Sequence, residues 1–323
     1  MTRIPGTLLC LAVGAACYGI SHFVPALSAL LIAIIAGIIV AHAVTMPETA
    51  RPGIAFSAKI LLRLGIILLG FQLVLGDIIA LGWGVLAVVI LIVAGGLAGT
   101  VVIGRRLGMS RSESILIGSG FSICGAAAVA GVESTIRRKD EEVATAIALV
   151  VIFGTAMIGI MPLILGAVPI TDAQRGYIAG GSIHEVAQVV AVGGILGGSV
   201  LTSAVLVKLA RVLMLAPVVT VLGALERRGG APVPSGKVPP LVPPFIIGFL
   251  AAALARTFLD IPDPVLGAIK IIQTILLAAA MFALGLGVHV SMLKKAGAKP
   301  FVLGALSTCL VSAIAAAGML LVS

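Results

Sequence analysis

Gly118-Ser119-Gly120-Phe121-Ser122-Ile123-Cys124-Gly125 and, further on, Gly180-Gly181-Ser182-Ile183-His184-Glu185 interrupt two stretches that are otherwise apolar. The surrounding chain is 60% hydrophobic and 10% charged, with a mean hydropathy of +1.27. Repeated apolar runs of about 17–25 residues mark an integral membrane protein and exclude an ordinary soluble domain. In hydrocarbon an unpaired backbone N–H or C=O is expensive, so a helix breaks only where protein or water satisfies the freed groups. Paired breaks mark the binding sites of secondary transporters, where half-helix ends point at the bound ion. Glycine kinks inside a helix bundle are the blander reading of the same letters.

Hydropathy and breakers place about eleven segments, near 5–23, 26–43, 54–76, 78–104, 111–136, 141–168, 172–196, 198–225, 241–257, 264–289 and 299–322. Arg3 followed by the apolar run from Pro5 to Val24, with no small-residue cleavage site, reads as a first span and not as a removable signal. Met46-Pro47, Arg51-Pro52, Gly229-Gly230 through Pro240, Ile261-Pro262-Asp263-Pro264 and Lys299-Pro300 punctuate the linkers. Ser110-x-x-Glu113 is a capping box. Arg137-Arg138-Lys139 before Asp140-Glu141-Glu142 puts cations at one helix end and anions at the next start, a helix junction.

Five of the 21 Lys and Arg (Lys59, Arg63, Lys208, Arg211, Lys270) lie inside segments. Those in loops divide 12 to 4 in favour of the N-terminal side if every segment crosses, and 14 to 2 if the fifth and seventh are re-entrant hairpins. Both counts put the N-terminus in the cytoplasm and the C-terminus outside. The net charge of +9 reflects those loops and not a nucleic-acid partner. A shift of 211 residues lays Lys59, Ile60, Phe71, Leu73, Leu75 and Gly76 on Lys270, Ile271, Phe282, Leu284, Leu286 and Gly287. The third and tenth segments run in opposite directions, so this reads as an inverted-topology repeat. The expected fold is therefore all-α. It is a single polytopic membrane domain over residues 1–323, with a first repeat over about 5–104 and a second over about 198–322. Two discontinuous helices or hairpins, about 111–136 and 172–196, lie between them.

In the first break Gly118, Gly120 and Gly125 allow backbone shapes closed to other residues, and Ser122 is placed to cap the following half-helix. The N–H groups of Ile123, Cys124 and Gly125 would then face an anion. In the second, Ser182-x-x-Glu185 forms another capping box beside His184 and Gln188. Glu185 is thus a reciprocal cap or a buried proton carrier, and His184 a satisfied core residue or the other proton carrier. Lys208 and Arg211 share one helix face about mid-segment, where cations are functional or paired; Lys59 and Arg63 lie near a segment end and can snorkel. Five interior cations against Glu185 predict an electropositive cavity and an anionic substrate.

Cys124, His184 and Glu185 also supply the residue types of a thiol hydrolase. Neighbours on one helix point about 100° apart, which suits that relay poorly. No metal motif, phosphate loop or nucleotide signature is present, so no cofactor is expected and the four cysteines read as membrane-embedded thiols. An anion channel is the remaining alternative.

Gly-Phe-Ser-Ile-Cys-Gly-Ala-Ala-Ala (120–128), Ser-Ile-His-Glu-Val-Ala-Gln-Val (182–189), Val-Lys-Leu-Ala-Arg-Val-Leu-Met-Leu-Ala-Pro (207–217) and Lys-Ile-Leu-Leu-Arg-Leu-Gly-Ile-Ile-Leu-Leu-Gly (59–70) resemble the bacterial YeiH-type sulfate exporter family. The resemblance covers nearly the whole chain. It implies an inner-membrane protein of about eleven segments, distantly similar to the bile-acid symporter folds. The expected activity is alternating-access transport of sulfate or an organic sulfonate or carboxylate. Expected partners are that anion, H+ or Na+ as coupling ion, the lipid bilayer and a second copy in a homo-oligomer. Gly120, Ser122, Ile123, Cys124, Gly125, Ser182, His184, Lys208 and Arg211 are the expected binding residues, and His184 and Glu185 the proton-coupling ones.

Overall fold

The computed structural model describes residues 3–23, 29–228, 243–287 and 297–322. Among these residues every regular element is helical. The helices are α1 (Ile4–Phe23), α2 (Ala29–Ala43), α3 (Arg51–Phe56), α4 (Leu62–Leu69), α5 (Leu75–Ala80), α6 (Trp83–Arg106), α7 (Arg111–Ser122), α8 (Ala126–Glu133), α9 (Asp140–Ala167), α10 (Asp172–Ser182), α11 (Val186–Leu196), α12 (Gly198–Leu213), α13 (Leu215–Arg228), α14 (Pro244–Phe258), α15 (Asp263–Leu286) and α16 (Ala298–Val322). A π-helical turn, Ser57–Leu61, joins α3 to α4. Among the described residues seven helical runs are long and apolar enough to cross a membrane: Ile4–Phe23, Arg51–Gln72, Trp83–Arg106, Asp140–Ala167, Gly198–Arg227, Asp263–Leu286 and Ala298–Val322. The second and ninth expected segments are the shorter α2 and α14. The Gly229-to-Pro240 linker, and the segment ends at 26–28, 241–242 and 288–289, lie outside the described residues.

The chain divides into two compact units. The first takes residues 1–75 and 247–295, and so draws on both expected repeats. Small residues let its helices approach closely, the main source of cohesion between helices in lipid. At Gly37 of α2 a Cβ would lie 2.3 Å from the Phe282 carbonyl and 3.0 Å from the Gly285 Cα of α15. Gly65 sits against Leu277, and the Gln72 amide donates to the Gln273 side chain. The third and tenth segments therefore pack antiparallel, as opposite crossings must.

The second unit takes residues 76–246 and 296–323. Two contacts show that the fifth segment does not cross. Ser110 Oγ and Ser112 Oγ, at the start of α7, each donate to the Glu142 carboxylate at 2.7 Å, at the start of α9. Chain that enters at 110 has thus returned to the same end by 142. Between these points α7 and α8 double back, with a Cβ at Gly120 lying 2.9 Å from Val129. The seventh segment behaves likewise. Ser199 Oγ of α12 donates to Asp172 Oδ2 of α10 at 3.0 Å, and Gly176 and Gly193 both rest on the first turns of α12. Both elements are re-entrant hairpins.

Helix α9 fixes their polarity. Its 28 residues rise about 42 Å, enough to cross. The first hairpin starts beside its N-terminus. The second starts beside its C-terminus, where the Arg175 guanidinium donates to the Leu165 and Val168 carbonyls at 3.1 and 3.4 Å. They enter from opposite ends of α9, and their tips meet at its middle: Gly120 faces Val150, and Gln188 lies over Gly154.

Candidate functional site

The two breaks are shorter and later than the sequence reading places them. Residues 118–122 and 180–182 remain helical, and only 123–125 and 183–185 leave the helix. At the first tip Ile123 turns to φ −109°, ψ −87° and Gly125 to φ +77°, ψ −139°. That second conformation excludes a side chain, and a Cβ there would lie 2.2 Å from Glu185 Cγ. Gly125, not Ser122, is the N-cap of α8. At the second tip Glu185, not Ser182, is the N-cap of α11, and its N–H donates to Gln188 Oε1 at 3.1 Å. The box therefore runs Glu185-x-x-Gln188. Ser122 and Ser182 instead end the first legs, their hydroxyls buried without a protein partner, as is Gln188 Nε2.

Each first leg ends with backbone carbonyls that have no helical partner and carry the negative end of the helix dipole. Lys208 and Arg211, one turn apart on α12, meet them. The ammonium donates to Ile123, Ile183 and His184 carbonyls at 2.8, 2.8 and 2.6 Å. The guanidinium donates to Ser122 (3.0 Å), Gly180 (2.9 Å), Gly181 (2.7 Å), Ile183 (3.0 Å) and Phe121 (2.9 Å). Both side chains are wholly buried. The pair forms a shared C-cap for both hairpins.

The positive ends are addressed by the chain's own acid. Glu185 Oε1 accepts from Ala126 N, at the start of α8, at 3.1 Å. The anion seat expected at the first break thus holds this carboxylate. Of the amides assigned to that seat, Ile123 N–H donates to Ser119 O (3.0 Å) and Gly125 N–H to Gly120 O (2.9 Å). Glu185 forms no ion pair among the described residues, although two cations are buried nearby.

His184 ties the tips to α16. Its Nδ1 faces the Phe121 carbonyl at 3.3 Å, its Nε2 faces Thr308 Oγ1 at 3.1 Å, and its ring lies 4.4 Å from that of Phe121. Neither nitrogen addresses Cys124.

Charge at the site is smaller than five cations against one acid. Lys59 and Lys270 are exposed and Arg63 half-buried, so only Lys208 and Arg211 are interior. With both charged and Glu185 ionised, the two C-termini offset about one positive charge, and the N-termini of α8 and α11 offset the carboxylate. About one positive charge remains, beside three unspent groups able to donate. Among the described residues no three His, Cys, Asp or Glu side chains gather as a metal site requires.

A family model described as conserved hypothetical protein 698 matches residues 5–304. A UPF0324 membrane protein of Corynebacterium glutamicum is 50% identical over 317 residues, covering 98% of this chain and 92% of that one. One from Pseudomonas aeruginosa is 37% identical, covering 94% and 90%. The UPF0324 inner membrane protein YeiH of Salmonella typhi is 38% identical, covering 85% and 80%. The chain belongs to the UPF0324 membrane protein family. No solved structure matches it.

Within this UPF0324 chain the sequence motifs span both tips but do not reveal the groups that hold them. Thr308 lies far along the chain in an apolar helix and gives no local signal. The acceptors of Lys208 and Arg211 are backbone atoms, invisible in the letters, yet two short half-helices beside two mid-segment cations already supply carbonyls and donors in matching number.

Proposed function

We propose that this protein is a secondary transporter of a small anion, working by alternating access across the bacterial inner membrane. One observation carries the reading: two hairpins enter from opposite ends of α9 and meet at its middle, around two buried cations that exceed the local carboxylate. Sulfate and organic sulfonates or carboxylates fit a site with about one spare positive charge and the unspent donors Ser122 Oγ, Ser182 Oγ and Gln188 Nε2. Lys208 and Arg211 act through the field they leave and the tip geometry they hold, since their donors are taken by carbonyls. Cys124, Gly120 and Ile123 shape the first tip.

Coupling follows from competition for one seat. While ionised, Glu185 holds the start of α8; a proton on Glu185 removes the charge from that bond and lets the anion compete for the N–H, and His184 is the other candidate proton carrier. Sodium is the alternative coupling ion. The thiol-hydrolase reading lacks its central contact, because the His184 ring is engaged by Phe121 and Thr308. With hairpins the loop cations divide 14 to 2, which favours a cytoplasmic N-terminus. The relatives named as inner membrane proteins fit that location.

The test is uptake of labelled sulfate, an alkyl sulfonate and a dicarboxylate by purified protein in liposomes, with and without a pH gradient. Saturable uptake of at least one, weakened in Ser122→Ala and Ser182→Ala, is expected. Uptake that rises linearly with concentration would make the protein a channel, and no uptake of any anion would end the reading.

A further inference from the structure

The Lys208 ammonium sits as a bound alkali cation would. Three backbone carbonyls converge on Nζ, those of Ile123 at the first tip (2.8 Å) and of Ile183 and His184 at the second (2.8 and 2.6 Å). All three residues lie in the unwound stretches 123–125 and 183–185, between half-helices and not within them. No carboxylate pairs with the ammonium among the described residues. The side chain is wholly buried, so these oxygens supply the shell that water gives a cation in solution. Rings of backbone carbonyls hold alkali cations in this way, and unwound carbonyls beside half-helix ends coordinate the coupling ions of many transporters. An ammonium has three donors, and here each has its own acceptor.

The charge arrives on a stem. Helix α12 lies so close to the second hairpin that a Cβ at Gly180 would be 2.3 Å from the Ala204 carbonyl and 3.0 Å from Val207 Cβ. That contact sets Lys208, the next residue, beside both tips. Arg211 shares only the Ile183 carbonyl with it, so loss of the lysine strips the Ile123 and His184 carbonyls and leaves the guanidinium its own acceptors. The geometry points to a built-in ion: the three carbonyls form a seat for one monovalent alkali cation, and the Lys208 ammonium fills it. One positive charge occupies the seat, so sodium or potassium, and not a divalent ion, restores the balance once the lysine is removed. The seat stands on these contacts. Its bearing on coupling, that the native transport cycle has no sodium step at this position, rests on the transporter reading.

Lys208→Ala removes the ammonium and leaves room for an ion. The full-length variant, purified in detergent, is unfolded thermally in the chloride salts of sodium, potassium, ethylammonium and choline at one ionic strength. The native protein and Lys208→Met, whose uncharged side chain fills the space, are unfolded beside it. Sodium or potassium should raise the melting temperature of Lys208→Ala saturably, by about 3 °C or more over choline. The native protein and Lys208→Met should show no such difference. An equal gain in either is a general salt effect and overturns the seat. Stabilisation by ethylammonium alone would make Lys208 a plain hydrogen-bonding cap and overturn it too. So would a Lys208→Ala protein whose stability no salt distinguishes, or one that cannot be recovered in any of them, since a seat built for a cation refills from solution. Unfolding is read without anion uptake, so failure of the transporter reading leaves this result standing.

Discussion

The two hairpin tips are variants of one design that diverge at three of six positions. Aligned with an offset of 60 residues, Gly120-Phe-Ser-Ile-Cys-Gly125 lies on Gly180-Gly-Ser-Ile-His-Glu185. Both first legs end on Ser-Ile, and both surrender their last carbonyls to the same two cations. They part at Phe121 against Gly181 and, at the turn itself, at Cys124-Gly125 against His184-Glu185. The first tip ends in a residue with no side chain, and the second ends in one whose carboxylate fills the space so left. One tip is a socket and the other a plug, so the pair has a direction although its scaffold is nearly symmetric.

Arg211→Gln should strike both tips together and hardest. It removes a guanidinium that serves carbonyls of both hairpins, and each buried acceptor left unsatisfied costs about 1–3 kcal/mol. A large fall in thermal stability and faster hydrogen exchange at 118–125 and 180–185 are expected. Exchange that rises in only one hairpin would show that the shared cap is not shared. A purely substrate-binding Arg211 would predict weakened binding in an intact fold; the carbonyl contacts make it structural as well.

Gly125→Ala tests the socket. The backbone conformation alone costs a side chain about 1–3 kcal/mol, and the new methyl overlaps Glu185. Glu185→Ala in the same chain should recover the overlap but not the backbone strain, giving a non-additive double-mutant cycle in thermal denaturation. Strict additivity would show that the plug does not sit in the socket.

Glu185→Gln tests the plug more gently. The amide oxygen can still accept from Ala126 N–H, so stability should fall by less than about 1.5 kcal/mol. Proton-driven accumulation in liposomes should vanish while downhill exchange persists. Accumulation that still follows the pH gradient would return Glu185 to a plain capping role. Cys124→Ala should do least, changing stability by about 1 kcal/mol or less and leaving uptake intact. Complete loss of uptake by a folded Cys124→Ala protein would reopen thiol chemistry.

Segment positions were legible because apolar runs and Pro or Gly breakers are local. Ser110 does cap α7, accepting from Glu113 N at 3.0 Å, yet its hydroxyl also reaches Glu142, which no local motif announces. The break at Gly118 to Gly125 was read too wide: glycine and serine remain helical when a cation satisfies the helix end. The box at Ser182-x-x-Glu185 was read one turn early, because Glu185-x-x-Gln188 offers the same spacing with equal chemistry. Composition identifies a buried cation but not its acceptors, so Lys208 and Arg211 looked free to hold a substrate. The hairpin topology itself rests on three hydroxyl–carboxylate contacts between residues 27 to 32 apart, beyond the reach of hydropathy.

The shared cap also limits how the protein can move. Because one guanidinium grips Phe121 and Ser122 on one side and Gly180, Gly181 and Ile183 on the other, the tips cannot be drawn apart without breaking all its bonds to one of them. They behave mechanically as a knot. On the proposed transport reading, access from either face would come from the legs swinging about that knot, like two doors hung on a single post, with the post itself standing still.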